Sequence, residues 1–106
     1  MDDWKKIKID YIAKIDRFVD EFEVWEFDKI PYGKFKVKIF ETADGKYEGK
    51  TNLRVKDKTD YFCAGVGFGK NVAETLEDTI RYFYSLIDEV EDLTENSFDY
   101  VDPNDF

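Results

Sequence analysis

The sequence predicts an α+β fold, in which a three-stranded antiparallel β-meander carries two helices on one face in the order α-β-β-β-α. Two observations predict it. Apolar residues recur at helical spacing near both ends of the chain, and they alternate with polar residues in the middle. The length of 106 residues, 42% of them hydrophobic, suits one domain around one core.

The first helix is predicted from the stretch "WKKIKIDYIAKIDRFVDEF", residues 4–22. Its apolar residues follow one another at steps of three, four or one, as they do on one side of a helix. These residues are Ile7, Tyr11, Ile15, Phe18, Val19 and Phe22. Residues 24–33, which include Pro31 and Gly33, are predicted to be a connector.

Three strands are predicted from a period of two in the stretches "GKFKVKIFET", "YEGKTNLRVK" and "YFCAGVGFG", residues 33–42, 47–56 and 61–69. The Asp44-Gly45 pair is typical of a tight hairpin turn between the first two strands. The polar stretch "DKTD", residues 57–60, predicts a turn before the third. The alternation predicts one apolar and one polar face for this meander.

The second helix is predicted to begin after Asn71, a favourable N-cap residue, with Glu74 completing a capping box. Its apolar side is predicted to consist of Ala73, Leu76, Ile80, Phe83 and Ile87. Both helices are expected to cover the apolar face of the sheet. Residues 1–92 are therefore predicted to form a single domain, and residues 93–106 a flexible acidic tail.

The net charge of −9 is distributed unevenly along the chain. Residues 31–70 contain 9 Lys/Arg and 5 Asp/Glu, whereas residues 71–106 contain 1 Arg and 11 Asp/Glu. Such polarity bears on the choice of partner and on the rate of encounter. It indicates two candidate binding surfaces of opposite sign.

The acidic surface is predicted on the last helix and is expected to bind a basic site on another protein. Its residues are Glu74, Glu77, Asp78, Asp88, Glu91 and Asp92. Three apolar residues of the tail are predicted to bind the same partner as anchors, namely Phe98, Tyr100 and Phe106.

The basic surface is predicted on the polar face of the sheet. It consists of Lys36, Lys38, Lys50, Arg54 and Lys56, together with Lys34. Three interpretations are open: a solvated face, contacts to a nucleic-acid backbone, or docking of the chain's own acidic tail. No aromatic stacking platform is predicted beside these lysines, which argues against binding of single strands.

No catalytic residue, metal site or cofactor site is predicted, and the protein is not expected to be an enzyme. The chain contains no histidine, the commonest general base and metal ligand. Cys63 is predicted to be a buried thiol in mid-strand. The run from Gly65 to Lys70 falls short of a phosphate-binding loop because Asn71 occupies the place of the Ser or Thr that binds Mg²⁺. Its glycines are instead predicted to allow close packing.

The run from Gly65 to Glu74 resembles the double-stranded RNA-binding domain at its two glycines, at Lys70 and at Ala73. The resemblance implies an α-β-β-β-α fold over roughly residues 5–90. The family's second and third lysines, which contact phosphates, correspond to Asn71 and Glu74 here. The fold is therefore expected to carry over and RNA binding is not. The meander and the last helix also resemble HicB-like antitoxin domains.

The expected function is that of a non-enzymatic, acidic inhibitor of phage or mobile-element type. Such a protein would occlude the nucleic-acid-binding site of a nuclease, for example a Cas nuclease, and it is similar in style to anti-CRISPR and anti-restriction proteins. Two alternatives stay open. One is a nucleic-acid-binding module of the double-stranded RNA-binding type that uses the basic sheet face, and the other is a HicB-like antitoxin that binds a small toxin.

A cytoplasmic location is expected. The start "MDDWKKIK" is unlike a signal peptide, no apolar run approaches ~18 residues, and the single cysteine excludes an internal disulfide. The oligomeric state is left open between monomer and dimer, because Trp4, Trp25 and Phe27 suit either a core or an interface.

Overall fold

The protein has an antiparallel sheet with one α-helix packed on one face, so the predicted α+β class is confirmed. The computed structural model describes residues 3–106, and Met1 and Asp2, which the predicted domain included, lie outside them. The elements are β1 (Asp16–Trp25), β2 (Lys34–Thr42), β3 (Tyr47–Lys56), β4 (Phe62–Gly69), α1 (Val72–Asp88) and β5 (Phe98–Tyr100). The four long strands lie in the order β1-β2-β3-β4, and β5 pairs with β3.

The predicted meander is confirmed as β2, β3 and β4. Burial alternates strictly along β2 and along most of β3, as the period of two predicts. Gly45 has a φ of +83°, a conformation that glycine adopts without strain, and it forms the hairpin turn between these strands. The Asp57 carboxylate accepts hydrogen bonds from the backbone N–H groups of Thr59 and Tyr61, which builds the second turn.

The prediction of a first helix over residues 4–22 is wrong, because β1 occupies the second half of that stretch. From Glu21 to Val24 charged and apolar residues alternate, which also fits a period of two. Glu21 and Glu23 lie opposite Lys38 and Lys36 of β2, so opposite charges face each other across the strand pair. Pairing with the free edge of β2 favoured the strand over the helix. The α-β-β-β-α order implied by the resemblance therefore differs from the structure in its first element.

The prediction of the last helix is confirmed at its start and corrected in its buried side. Asn71 Oδ1 accepts the N–H of Glu74 at 2.8 Å, as expected for an N-cap. The fully covered residues are Thr75, Thr79, Phe83 and Ile87, whereas Leu76 and Ile80 are half-buried and Ala73 is exposed. The helix is thus turned so that its small threonines, and not its larger aliphatic residues, face the glycines of β4.

The two faces of the sheet differ in cover. We call the face that packs against α1 the inner face and the opposite one the outer face. The centre of the inner face is fully buried and includes Phe35, Val37, Leu53 and Val55. Because a helix is about 10 Å across and strands lie about 4.8 Å apart, one helix covers roughly two strands. Helix α1 lies mainly over β4 and β3, so the inner face of β1 has no helix over it.

Residues 93–106, predicted to be a flexible tail, include β5 and therefore contribute to the sheet. Leu53 pairs with Tyr100 and Val55 with Phe98, so this short strand runs beside β3. Phe98 is only 7% exposed and belongs to the core. The helices among residues 3–106 lack the length and apolar character needed to cross a membrane.

A buried carboxylate joins the N-terminal residues to the sheet. Glu41, at the end of the inner face of β2, is 6% exposed. It receives a hydrogen bond from Arg17 Nη2 at 2.6 Å and pairs with Lys5 Nζ at 2.6 Å. These hydrogen bonds, first from Lys5 and then from Arg17, hold the pKa of Glu41 below its ordinary value of 4.5.

We expect the free energy of unfolding to fall as the pH drops below about 4.5, because a carboxyl whose pKa is lowered on folding loses its contribution as it protonates. Glu41→Gln should be less stable than the parent near pH 7, and the difference should shrink toward pH 3. Urea unfolding across this pH range measures it. Glu91→Gln, at an exposed position, is the control. An identical pH dependence for the parent and Glu41→Gln would contradict this role of the carboxylate.

Candidate interaction surfaces

The acidic residues at the start of α1 are exposed, and each also makes a local contact. Glu74 accepts a hydrogen bond at 3.2 Å from the backbone N–H of Lys70, the residue before the N-cap, and not from that of Asn71 as the predicted capping box requires. Asp78 accepts the backbone N–H of Phe68 at 2.9 Å and so ties the edge strand β4 to the helix. Glu77 pairs with Arg81 Nε at 2.7 Å. Glu74 and Asp78 thus stabilise the fold in addition to carrying charge.

The remaining predicted acidic residues lie at the other end of α1 and beyond it. Asp88 pairs with Lys29 at 3.0 Å, and this hydrogen bond raises the pKa of Lys29. Glu91 and Asp92 are exposed and have no ion pair with any residue of 3–106. At 1.5 Å per residue, Asp78 and Asp88 are roughly 15 Å apart along the helix. The predicted acidic surface is therefore divided into two acidic clusters, separated by a stretch that contains Arg81.

The three predicted tail anchors contact the protein itself. Phe98 is buried in the core. Tyr100 donates its hydroxyl hydrogen to the Lys34 carbonyl oxygen at 2.7 Å, and its ring lies 5.3 Å from that of Tyr32. The Phe106 ring lies 4.5 Å from Lys38 Nζ, which also donates to the Phe106 carbonyl oxygen at 2.9 Å. Of the three interpretations of the basic face, the structure contains the docking of the chain's own C-terminal residues.

The predicted basic residues share the outer face of the sheet. Strands β2 and β3 place Lys34, Lys36, Lys38, Lys50, Arg54 and Lys56 there. Glu23 lies 3.6 Å from Lys34, Glu21 lies 3.8 Å from Lys36, and Asp99 pairs with Arg54. Within residues 3–106, Lys38, Lys50 and Lys56 have no acidic partner. Since Lys38 already donates to the Phe106 carbonyl oxygen, Lys50 and Lys56 are the part of the surface most available to an anion.

Aromatic rings lie beside the lysine and arginine side chains of this face. The prediction that no stacking platform exists beside the lysines is therefore wrong. Lys34 Nζ is 4.8 Å from the centre of the Trp25 ring, and Lys50 Nζ is 5.5 Å from that of Phe40. Arg54 and Lys56 both approach the ring of Phe62. Sequence reasoning missed the platform because it placed Trp25 in a connector. The alternation of charged and apolar residues from Glu21 to Val24 was the signal that could have revealed the strand on which Trp25 lies.

The glycine run acts as a packing surface, as predicted. A Cβ atom at Gly67 would lie 2.6 Å from Thr79 Cα, and one at Gly65 would lie 2.5 Å from Phe83 Cβ. The glycines therefore bring α1 against β4, and their backbone faces the helix.

Cys63 is half-buried on the inner face, and its sulfur lies 3.6 Å from Asp57 Oδ2. Burial, and then the neighbouring carboxylate, raise the pKa of the thiol above its ordinary value. The thiol is thus kept in its protonated, weakly nucleophilic form at neutral pH. A cavity of ≈ 330 Å³ opens beside it, between the β3–β4 turn and the end of α1.

No group of three or more His, Cys, Asp or Glu residues suited to a metal ion occurs among residues 3–106. Comparison of this chain with protein-family models, with curated proteins and with solved structures gave no match.

Proposed function

We propose that this protein is a non-enzymatic inhibitor that binds another protein at a site made for nucleic acid, such as the channel of a nuclease. One observation carries the proposal: the exposed side of α1 bears an acidic cluster at each end, and the single base of residues 71–106, Arg81, is already paired with Glu77. Asp88 is likewise paired with Lys29, whereas Glu74, Asp78, Glu91 and Asp92 have no ion pair within residues 3–106. These four carboxylates leave a negative potential that suits a strongly basic site.

The spacing of the clusters defines the partner further. Glu74, Glu77 and Asp78 lie within about one turn of the helix, Asp88 is its last residue, and Glu91 and Asp92 follow shortly after it. The helix holds Asp78 and Asp88 roughly 15 Å apart. A channel with basic residues on both sides of a strand-binding path, as in nucleases of the Cas type, fits such an arrangement.

The packing role of the glycines and the raised pKa of Cys63 support a binding function. The glycine run is the feature of the sequence nearest to a nucleotide-binding loop, and its packing role accounts for it. Cys63 is the feature nearest to a nucleophile, and its raised pKa keeps it weakly nucleophilic. The remaining chemistry of the surface consists of charge and exposed apolar area, which are the means by which proteins recognise one another.

The experiment compares the parent with a variant in which Glu77, Glu91 and Asp92 are changed to Lys. These three are chosen because Glu74 and Asp78 accept backbone hydrogen bonds and Asp88 pairs with Lys29. Each immobilised protein is exposed to a cell lysate and to a purified Cas nuclease, and bound proteins are eluted with salt and with duplex DNA. We expect the parent to retain nucleases that duplex DNA displaces, and the variant to lose them.

The control variant changes Lys6 and Lys8, which are exposed in the N-terminal segment, to Glu. It should retain the same proteins as the parent. Circular dichroism confirms that each variant is folded. Equal retention by the parent and by the Glu77, Glu91 and Asp92 variant, or retention that duplex DNA does not reduce, would reject the proposal.

A second candidate function is the binding of single-stranded nucleic acid by the outer face of the sheet. The observation that favours it is that lysine side chains lie beside aromatic rings on this face. The pairs are Lys34 with Trp25, Lys50 with Phe40 and Lys56 with Phe62. Single-strand binding surfaces typically combine aromatic rings, on which nucleobases stack, with lysines that contact phosphates. The ring of Phe106 also lies on this face, near Lys38 and Lys50.

Fluorescence anisotropy with labelled single strands and duplexes at low salt separates the two candidates. Outer-face binding should favour the single strand, weaken with salt and decrease in Trp25→Ala and in Lys50→Gln. If neither nucleic acid binds, the second candidate fails and the first is unaffected.

A further inference from the structure

The structure contains an apolar groove along α1 that none of residues 3–106 fills. It runs along the side of α1 that faces β1 and β2, with a cavity volume of ≈ 530 Å³, and is lined by Ala73, Leu76, Glu77, Ile80, Arg81 and Tyr84. The ring of Tyr84 lies 6.3 Å from that of Phe35 in β2, which fixes the direction in which this side points. On the same inner face, Phe22 and Val24 of β1 are half-buried only.

The groove lies where a second layer element is missing. A four-stranded sheet presents an inner face about 15 Å wide, and one helix covers about 10 Å of it. The apolar residues of β1 and the half-buried row of α1 therefore lack the partner that each normally has in a two-layer fold.

The N-terminal arm, residues 3–15, carries apolar side chains that are not covered. Its apolar side chains protrude: Ile7 is 52% exposed, Ile9 46%, Ile12 42% and Tyr11 86%. The backbone hydrogen bonds of the arm, from Ile7 N to Trp4 O and from Ile12 N to Ile9 O, stay within the arm. It is joined to the sheet through side chains, among them Lys14, which pairs with Glu48 at 3.2 Å.

The molecule as a whole is elongated. The radius of gyration is 15.3 Å and the longest dimension is 47 Å. A compact chain of this length has a radius of gyration of about 13 Å. The arm keeps its apolar side chains in water, a costly arrangement unless a partner covers them.

Charge complementarity relates the two surfaces. Residues 3–15 carry four Lys and two Asp. The groove is bordered by Glu77 and Arg81, which pair with each other. Glu26 and Asp28 lie close enough to Tyr84 to raise the pKa of its hydroxyl, after burial, to about 12, so they supply the negative charge at this border. A basic, apolar segment therefore matches an apolar groove with an acidic border.

We propose that the occupant of the groove is the N-terminal arm of a second copy of this chain, in a two-fold symmetric dimer in which each arm lies on the partner's α1. Each copy carries one unfilled groove and one uncovered arm, so a two-fold axis satisfies both at once. In the structure Lys5 is engaged by Glu41 at the base of the arm, while Ile7, Ile9, Tyr11 and Ile12 stay exposed and therefore do not fill a groove of their own copy.

The experiment measures the molar mass and the dimer dissociation constant of the full chain by analytical ultracentrifugation. Two variants remove one surface each: Ile7→Asp with Tyr11→Asp in the arm, and Ile80→Gln in the groove. We expect the parent to dimerise and each variant to dimerise at least about tenfold more weakly, the effect of losing about 1.4 kcal/mol. Tyr61→Asp, which changes an exposed ring in the β3–β4 turn, is the matched control and should dimerise like the parent.

Mixing the two variants gives a second, independent result. The arm variant retains a groove and the groove variant retains an arm, so the mixture should form a heterodimer with one intact contact, whereas each variant alone is mainly monomeric. Circular dichroism verifies that Ile80→Gln is folded. A parent that stays monomeric, including one whose arm occupies its own groove, overturns the proposal. A dimer that neither variant weakens overturns it as well. The measurement requires no other protein, so its outcome is separate from that of the inhibitor proposal.

Discussion

Gly67→Ala is expected to destabilise the protein by about 3 kcal/mol or more, at the upper end of the range for overpacking a core. The new Cβ atom would lie 2.6 Å from Thr79 Cα and closer still to Thr79 N. These are backbone atoms in the middle of α1, so no side-chain rotation relieves the overlap, and the helix must move away from β4. Urea unfolding of the parent and the variant measures the loss.

Gly49→Ala is the informative comparison. Its Cβ would overlap mainly with the side-chain hydroxyl of Thr79, while Ile39 Cδ1 is 3.1 Å away. Introducing Thr79→Ala should therefore reduce the cost of Gly49→Ala by about 1 kcal/mol, whereas it should leave most of the cost of Gly67→Ala. A Gly67→Ala variant within about 0.5 kcal/mol of the parent would show that α1 does not pack this closely.

Phe83→Ala is expected to cost about 3–5 kcal/mol, the usual range for deleting a buried phenylalanine ring. Phe83 is fully buried, and its ring meets that of Phe35 edge to face at 5.2 Å. The contact joins the middle of α1 to β2, and the alanine leaves a cavity there that the rigid sheet fills only in part. Since a domain of this size is stable by about 5–15 kcal/mol, much of the total is lost.

Tyr82→Ala is the control for that measurement, because Tyr82 is the neighbouring residue on the exposed side of the same helix. It should change the free energy of unfolding by no more than about 0.5 kcal/mol. Thermal or urea unfolding distinguishes the two. Similar losses for both variants would mean that Phe83 is not the centre of the core.

Local signals were sufficient where only one periodicity was possible. The alternating lysines of β2 and the Asp44-Gly45 turn predicted the meander, and Asn71 with Glu74 predicted the start of α1. Each of these rests on contacts within a few residues, so the sequence contains the information directly. The packing role of Gly65 and Gly67 was also accessible, because a row of glycines on one side of a strand has few other uses.

The same reasoning failed where two periodicities overlapped. Phe18, Val19 and Phe22 fit a helix, whereas Phe22 and Val24 fit a strand, and local propensity does not separate the two. The free edge of β2 did so by offering backbone hydrogen bonds and oppositely charged neighbours to residues 16–25. The error propagated to the binding surfaces, because assigning Trp25 to a connector concealed the aromatic side of the outer face.

The sequence by itself determined the meander, the last helix with its cap, and the separation of charge between residues 31–70 and 71–106, since each depends on neighbours along the chain. Only the tertiary structure decided that residues 16–25 form a strand, that residues 98–100 complete the sheet, and that aromatic rings lie between the lysines. Those outcomes depend on which strand edges and which faces are left open once the meander has formed. Such information arises from contacts between residues that are distant in the sequence.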